Sequence, residues 1–83
     1  MSMLQAIVEQ YADEEILKAD GLDSAVIGID PKSFRLIYSA EKILEILVTE
    51  EGMTYEDALE HYHYNIEGGW VGEKTPIWCN DLY

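Results

Sequence analysis

Basic residues are scarce in this chain: 5 Lys and Arg stand against 17 Asp and Glu in 83 residues, leaving a formal net charge of -12 at pH 7. A protein that grips nucleic acid neutralises phosphates with clustered Lys and Arg, and here Lys18, Lys32, Arg35, Lys42 and Lys74 stand scattered. The deficit argues against direct nucleic-acid binding and, by sign, against docking on an anionic membrane surface. Cysteine occurs once, at Cys79, which excludes an internal disulfide and a four-cysteine zinc site. No apolar run approaches the roughly 20 residues of a membrane span. Met1-Ser2-Met3-Leu4 lacks the basic opening of a secretory leader. Together these absences predict a cytosolic protein.

Apolar residues are present in quantity. They make up 48% of the chain, 11% is aromatic and the mean hydropathy is -0.13, whereas acidic disordered tails combine high charge with few apolar groups. A folded domain is therefore expected, spanning 1–83 as one unit with a single thin core.

Leu4, Ile7, Val8 and Tyr11 recur at the spacing of one helix face. The next position on that face is Glu15, so the helix is expected to stop near Ala12, with Asp13 capping a short second turn through Leu17 and Gly21 ending it. Ala25–Ile29 and Phe34–Tyr38 read as strands of a hairpin around Asp30-Pro31-Lys32-Ser33, a turn-forming sequence. A second helix is predicted from Ala40 to Glu50, with Ser39 as its N-cap. Its apolar residues cover roughly 200° of the wheel, leaving a strip with Glu41, Lys42, Glu45 and Thr49 for water. Gly52 closes it. Thr54 caps a third helix, whose Tyr55, Ala58, Leu59, Tyr62 and Ile66 form one stripe before Gly68-Gly69 stops it. The fold class predicted is α+β: a small antiparallel sheet from the hairpin, with Pro76–Cys79 as a candidate third strand at an edge, packed against about three helices.

Gly52-Met53-Thr54-Tyr55-Glu56-Asp57-Ala58, then Tyr62-His63-Tyr64-Asn65-Ile66, then Val71-Gly72-Glu73-Lys74-Thr75-Pro76-Ile77 form a pattern that resembles a family of small acidic proteins of bacteriophages, prophages and viral metagenomes. Ile16-Leu17-Lys18-Ala19-Asp20-Gly21 is similar to their N-terminal part. This chain has Gly69 where relatives often have Ala, and His61 and His63 where the family fixes no histidine. The resemblance implies a phage origin and an accessory role against the host, with no activity or cofactor to carry over.

Chemistry-bearing constellations are weak. Two residues apart on a helix, His61 and His63 point roughly 200° apart and cannot share an ion. Cys79 lies in Trp78-Cys79-Asn80-Asp81, which carries no local signature of a cysteine hydrolase. Asp20-Gly21-Leu22-Asp23 lacks the alternating ligands of a calcium loop, and Gly68, Gly69 and Gly72 lack the Gly-Lys-Ser ending of a phosphate loop. No catalytic residue, metal or cofactor is assigned, and the chain is read as a non-enzyme.

The residues assigned to partner binding are acidic and aromatic: Glu41 and Glu45 on the second helix, Glu56, Asp57, Glu60 and Tyr64 on the third, and Trp70 after it. Tyr64 falls opposite the apolar stripe, on the flank with Asp57 and Glu60. An aromatic among carboxylates there is a natural anchor. Carboxylates at i, i+4 repeat about every 6 Å, within range of phosphate spacing along a DNA strand, so mimicry of nucleic acid is one use of the acidity. The partner expected is a host protein with a basic surface in the cytoplasm of an infected bacterium. The alternative is a homo-oligomer whose acidity provides solubility alone.

Overall fold

The computed structural model describes residues 2–69 and 72–82. Helix α1 spans Met3–Gln10, and the Ser2 hydroxyl caps it by accepting from the Gln5 N–H. Leu4 and Ile7 of the expected face bury their side chains and Tyr11 is half-buried, but Val8, placed on the same face by its spacing, is 49% exposed. The helix then ends in a turn closed by the Glu14 N–H on the Tyr11 carbonyl at 3.0 Å. No second helical turn follows, against expectation. Asp13 caps nothing, and 15–19 runs as irregular chain. The buried Tyr38 hydroxyl, 2.8 Å from the Ala19 N–H, fixes this segment from outside and replaces the bond a helical turn would have made. Gly21 sits at φ +81 in the following turn, so its left-handed freedom is used without a helix to end.

A single 3₁₀ turn at Asp23–Ala25 leads into strand β1, Val26–Ile29, which pairs antiparallel with β2, Leu36–Ser39. The hairpin is the one expected, with shorter strands. Asp30 organises its turn: one carboxylate oxygen accepts from the Lys32 N–H at 3.1 Å, the other from the Ser33 hydroxyl at 2.8 Å. Those bonds hold the Asp30 carboxyl below its usual range. Phe34, at φ +57, takes the strained exit. Its ring packs edge-on against Tyr11 at 5.8 Å, and Lys74 Nζ lies 5.2 Å from its centroid. The register shifts between Val26 and Gly28, so Ile27 is an extra residue bulged out of the ladder and is 37% exposed.

β2 passes directly into helix α2, Ala40–Thr49. Ser39 is both the last strand residue and the helix N-cap, accepting from the Lys42 N–H at 3.1 Å. Ala40, Ile43, Leu44 and Leu47 are buried, while Ile46 is half-buried and Val48 reaches the surface, so the predicted wide apolar arc is only partly covered. Gly52, at φ +70, turns the chain, and the Met53 N–H closes back on the Leu47 carbonyl at 3.2 Å. Helix α3, Tyr55–His61, starts on the Thr54 cap as its sequence predicts. It then widens into a π-helical turn over Tyr62–Glu67 in place of continuing as α-helix to Ile66. Ala58 and Tyr62 of the predicted stripe are buried, Leu59 and Ile66 half-buried, and Tyr55 is 58% exposed. Tyr55 is the first residue after the cap and reaches past the core that the later positions fill.

Strand β3, Ile77–Cys79, joins β2 and completes the α+β fold. It runs parallel to β2, so the order β1-β2-β3 forms a mixed sheet where an antiparallel one was expected. The topology gives the reason. The chain leaves the top of β2 into α2 and returns through α3, a crossover of the kind parallel pairing requires. Pro76 stands at the start of this edge strand, where its missing N–H is harmless. Val26, Leu36 and Tyr38 face the helices, and Tyr38 packs its ring 5.3 Å from that of Trp78.

Beyond β3, Asp81 reaches back to the start of α2. One oxygen accepts from the Ser39 hydroxyl at 2.5 Å and the other from the Glu41 N–H at 2.9 Å. The Ser39 bond first, and the Glu41 bond second, hold the Asp81 carboxyl below its usual range. A carboxyl lowered by folding stabilises the fold above its unfolded pKa of about 3.9, and that contribution disappears as pH falls through the folded value.

Tyr38→Phe keeps the ring against Trp78 and removes only the acceptor for the Ala19 N–H. It is expected to cost about 1 kcal/mol in urea unfolding and to speed amide exchange at Ala19. An unchanged Ala19 exchange rate would show that this bond does not hold the 15–19 segment.

Candidate functional site

The Thr54 cap fixes where α3 starts, and the helix period then sets Asp57, Glu60 and Tyr64 on its outer side. They line one shallow depression with Met53, His61 and Asn65. Tyr64 is 78% exposed, the most exposed of the large apolar side chains on the described surface. The grouping predicted for this flank therefore forms, although the chain passes from α-helix to π-helical turn between Glu60 and Tyr64. Glu56 is exposed on the first turn of α3 but lines no part of this depression. Trp70, also assigned to partner binding, lies outside the described residues.

Glu41 and Glu45 stand elsewhere, one turn apart on α2. They border a second depression with Leu44, Val48, Tyr55 and Leu82. Tyr55 was expected in the core, and its exposed ring beside these carboxylates gives α2 an acidic and aromatic surface of its own. The sequence signal for it was present: the first residue after an N-cap lies at the end of its helix, where a wheel overstates burial. Two acidic and aromatic patches thus flank α3 on different sides.

Among the described residues, the carboxylates of Glu41, Glu45, Glu56, Asp57 and Glu60 accept no hydrogen bond and form no ion pair. The ion pairs among the described residues are Lys18 with Asp23 at 3.6 Å and His63 with Glu67 at 3.1 Å. The basic residues are partly used inside the fold. Arg35 Nε donates to the Thr75 carbonyl at 2.6 Å, and Lys74 Nζ to the Ser33 carbonyl at 2.9 Å. The carboxylates of the acidic faces form no close ion pair with these or other described basic residues.

The histidines do not converge. His61 Nδ1 meets the Asn65 side chain at 3.2 Å, and His63 pairs with Glu67, each four residues on. Among the described residues no group of three His, Cys, Asp or Glu is placed to hold a metal ion. Cys79 is half-buried in β3. No helix among the described residues is long and apolar enough to cross a membrane.

Among the described residues two buried polar atoms make no close hydrogen bond: the Tyr62 hydroxyl, which has the Glu67 carboxylate near it, and the Trp78 indole Nε1. Burial first, then the charge of Glu67 and a long hydrogen bond to it, push the Tyr62 hydroxyl up to about 12. Trp78 forms part of a cleft of about 760 Å³ between the 17–22 segment, the end of α2, the π-helical turn and β3. Neither feature was legible in the sequence, because both depend on how β3 meets the helices.

Comparison with known protein families, with curated proteins and with solved structures finds no match for the chain. The functional reading rests on the geometry above.

Tyr64→Ala is expected to change unfolding free energy by less than about 0.5 kcal/mol, since the ring lies outside the core. Tyr62→Phe removes a buried hydroxyl with no close partner and is expected to change stability at neutral pH by less than about 1 kcal/mol. A raised tyrosine pKa favours the fold below the unfolded value of about 10, and the benefit is lost as pH rises through the folded value. Wild-type stability therefore declines above pH of about 10, and Tyr62→Phe flattens that decline. A large loss from Tyr62→Phe at neutral pH would contradict the assignment of its hydroxyl as lacking a close partner.

Proposed function

We propose that this chain is a non-catalytic acidic accessory protein, of the kind phages encode, that binds a basic surface on a bacterial host protein and inhibits or modulates it. The observation that carries the reading is the α3 flank, where Tyr64 stands 78% exposed in one depression with Asp57 and Glu60. A large ring held in water among carboxylates has no role in the core, and it gains contact area when a basic partner covers it. The unpaired carboxylates steer encounter with a positive surface. Glu41 and Glu45 extend the acidic surface along α2. Their spacing of about 6 Å, one helical turn, supports mimicry of a nucleic-acid backbone as the means of inhibition. The resemblance to small acidic phage proteins supports the same setting, the cytoplasm of an infected cell.

A second reading is supported by the patch on α2. Val48 and Tyr55, 36% and 58% exposed, adjoin each other beside Leu82, and an apolar and aromatic patch of this kind suits a homo-oligomer in which the acidity serves solubility. Light scattering distinguishes the two, since the first reading needs no self-association.

Affinity capture from bacterial lysate, with the chain compared against a variant carrying Glu56→Gln, Asp57→Asn and Glu60→Gln, tests the proposal. The wild type is expected to retain a partner that the variant loses. Association should slow as salt rises above about 0.15 M, where the Debye length is near 8 Å. An identical catch from both proteins would sink the acidic-face reading.

A further inference from the structure

Helix α2 leaves one apolar stripe uncovered among the described residues. Glu41, Leu44, Glu45 and Val48 recur at i, i+3, i+4 and i+7, so they run along one side of the helix for two turns, about 10 Å. Tyr55 at the start of α3 and Leu82 beyond β3 line the same groove. Leu44 is its buried floor, Leu82 is half-buried, and Val48 and Tyr55 are 36% and 58% exposed. Neither Val48 nor Tyr55 packs into the core. The groove shares no residue with the depression around Tyr64.

Two properties specify what covers it. The first is shape. A helix stripe with an apolar floor accepts the ridge of a second helix, whose side chains three and four apart repeat at the same rise. An extended segment would instead add to a free sheet edge, and no strand residue lines this groove. The second is charge. Glu41, Glu45 and Asp81 line the groove, and none of the described Lys, Arg or His does. Lys42 stands about 100° round α2 from Glu41, outside it. A second copy supplies no counter-charge here, because a two-fold interface presents the same patch from both subunits. It would set carboxylates and no cation against Glu41 and Glu45, between chains of net charge -12 each.

We infer that the α2 groove docks an amphipathic basic helix of the partner protein. Its apolar anchor sits over Leu44 among Val48, Tyr55 and Leu82, and its Lys or Arg, one turn along on the same face, meets Glu41 and Glu45. The inference rests on the proposed host-protein reading for its setting and adds the element by which the partner is held. It fails alone if a captured partner needs only the Glu56, Asp57 and Glu60 side of α3.

Three synthetic peptides of about four helical turns test it. The first repeats Leu at i, i+3, i+4 and i+7 with Lys at the flanking positions. The second keeps the Leu positions and carries Glu for Lys, and the third has the composition of the first with Leu scattered round the helix. Each is labelled and titrated with the full chain by fluorescence anisotropy at about 0.15 M salt. The first peptide is expected to bind about tenfold or more tightly than either of the others. Tyr55→Ala, and separately the pair Glu41→Gln and Glu45→Gln, are each expected to weaken it about fivefold or more, while Tyr64→Ala leaves it unchanged. Both sets alter exposed side chains, and the melting temperature of each variant is followed alongside. Equal binding of the two basic peptides would reduce the effect to net charge and overturn the inference. So would tight binding of the Glu peptide, or a loss in Tyr64→Ala with none in the α2 variants. A dimer in light scattering that Tyr55→Ala abolishes would place a second copy in the groove and overturn it too.

Discussion

The Ser39 hydroxyl sits where the central strand ends and the core helix begins, and the other elements depend on the angle fixed there. It accepts from the Lys42 N–H and donates to Asp81, whose second oxygen takes the Glu41 N–H. Two of the four N–H groups that a helix start leaves without partners are met in this way. One is met by a residue of the strand itself and the other by a carboxylate forty positions along the chain. With no loop between β2 and α2, this junction sets how α2 crosses the sheet. Ile43, Leu44 and Leu47 then close over Leu36 and Tyr38, and α3 packs on what α2 presents. Asp81 follows β3 by two residues, so the contact that caps the helix also holds the third strand beside β2.

Tyr38 does the same work on the other side of β2. Fully buried, it faces Val26 across one ladder and Trp78 across the other, and its hydroxyl holds the 15–19 segment through Ala19. A core this thin is stabilised by a few residues that each touch several elements. The acids contribute to it sparingly. Asp30 and Asp81 hold a turn and a helix start, while the carboxylates of Glu41, Glu45, Glu56, Asp57 and Glu60 stand outside without partners among the described residues. The net charge of -12 is thus divided between a small structural share and a larger share turned to water.

The helix starts were legible in the sequence because capping chemistry is local: Ser39 and Thr54 each act on an N–H three residues on, as their types and positions predict. The hairpin was legible from its β-rich runs around an Asx turn. The Asp57, Glu60 and Tyr64 flank could be placed because α3 keeps its period up to His61. The rest depended on partners far along the chain. The stretch from Asp13 to Leu17 stays irregular because the segment is fixed from Tyr38, and no local signal reports that. The parallel direction of β3 follows from where α3 delivers the chain. Tyr55 was misplaced because a wheel treats an end position like an interior one. The cleft and the unpaired Trp78 indole arise only where four segments meet.

The central claim is that one carboxylate holds the fold while the carboxylates of the two faces do not. Urea unfolding at neutral pH tests it directly, comparing Asp81→Asn with a variant in which Glu41, Glu45, Glu56, Asp57 and Glu60 all become their amides. Asp81→Asn is expected to lose on the order of 1 to 2 kcal/mol, through weakened charge-assisted bonds at the α2 start. The five-acid variant is expected to match or exceed wild type, since relief of repulsion offsets the few tenths of a kcal/mol that acids contribute at helix starts. A five-acid variant less stable than Asp81→Asn would contradict the account.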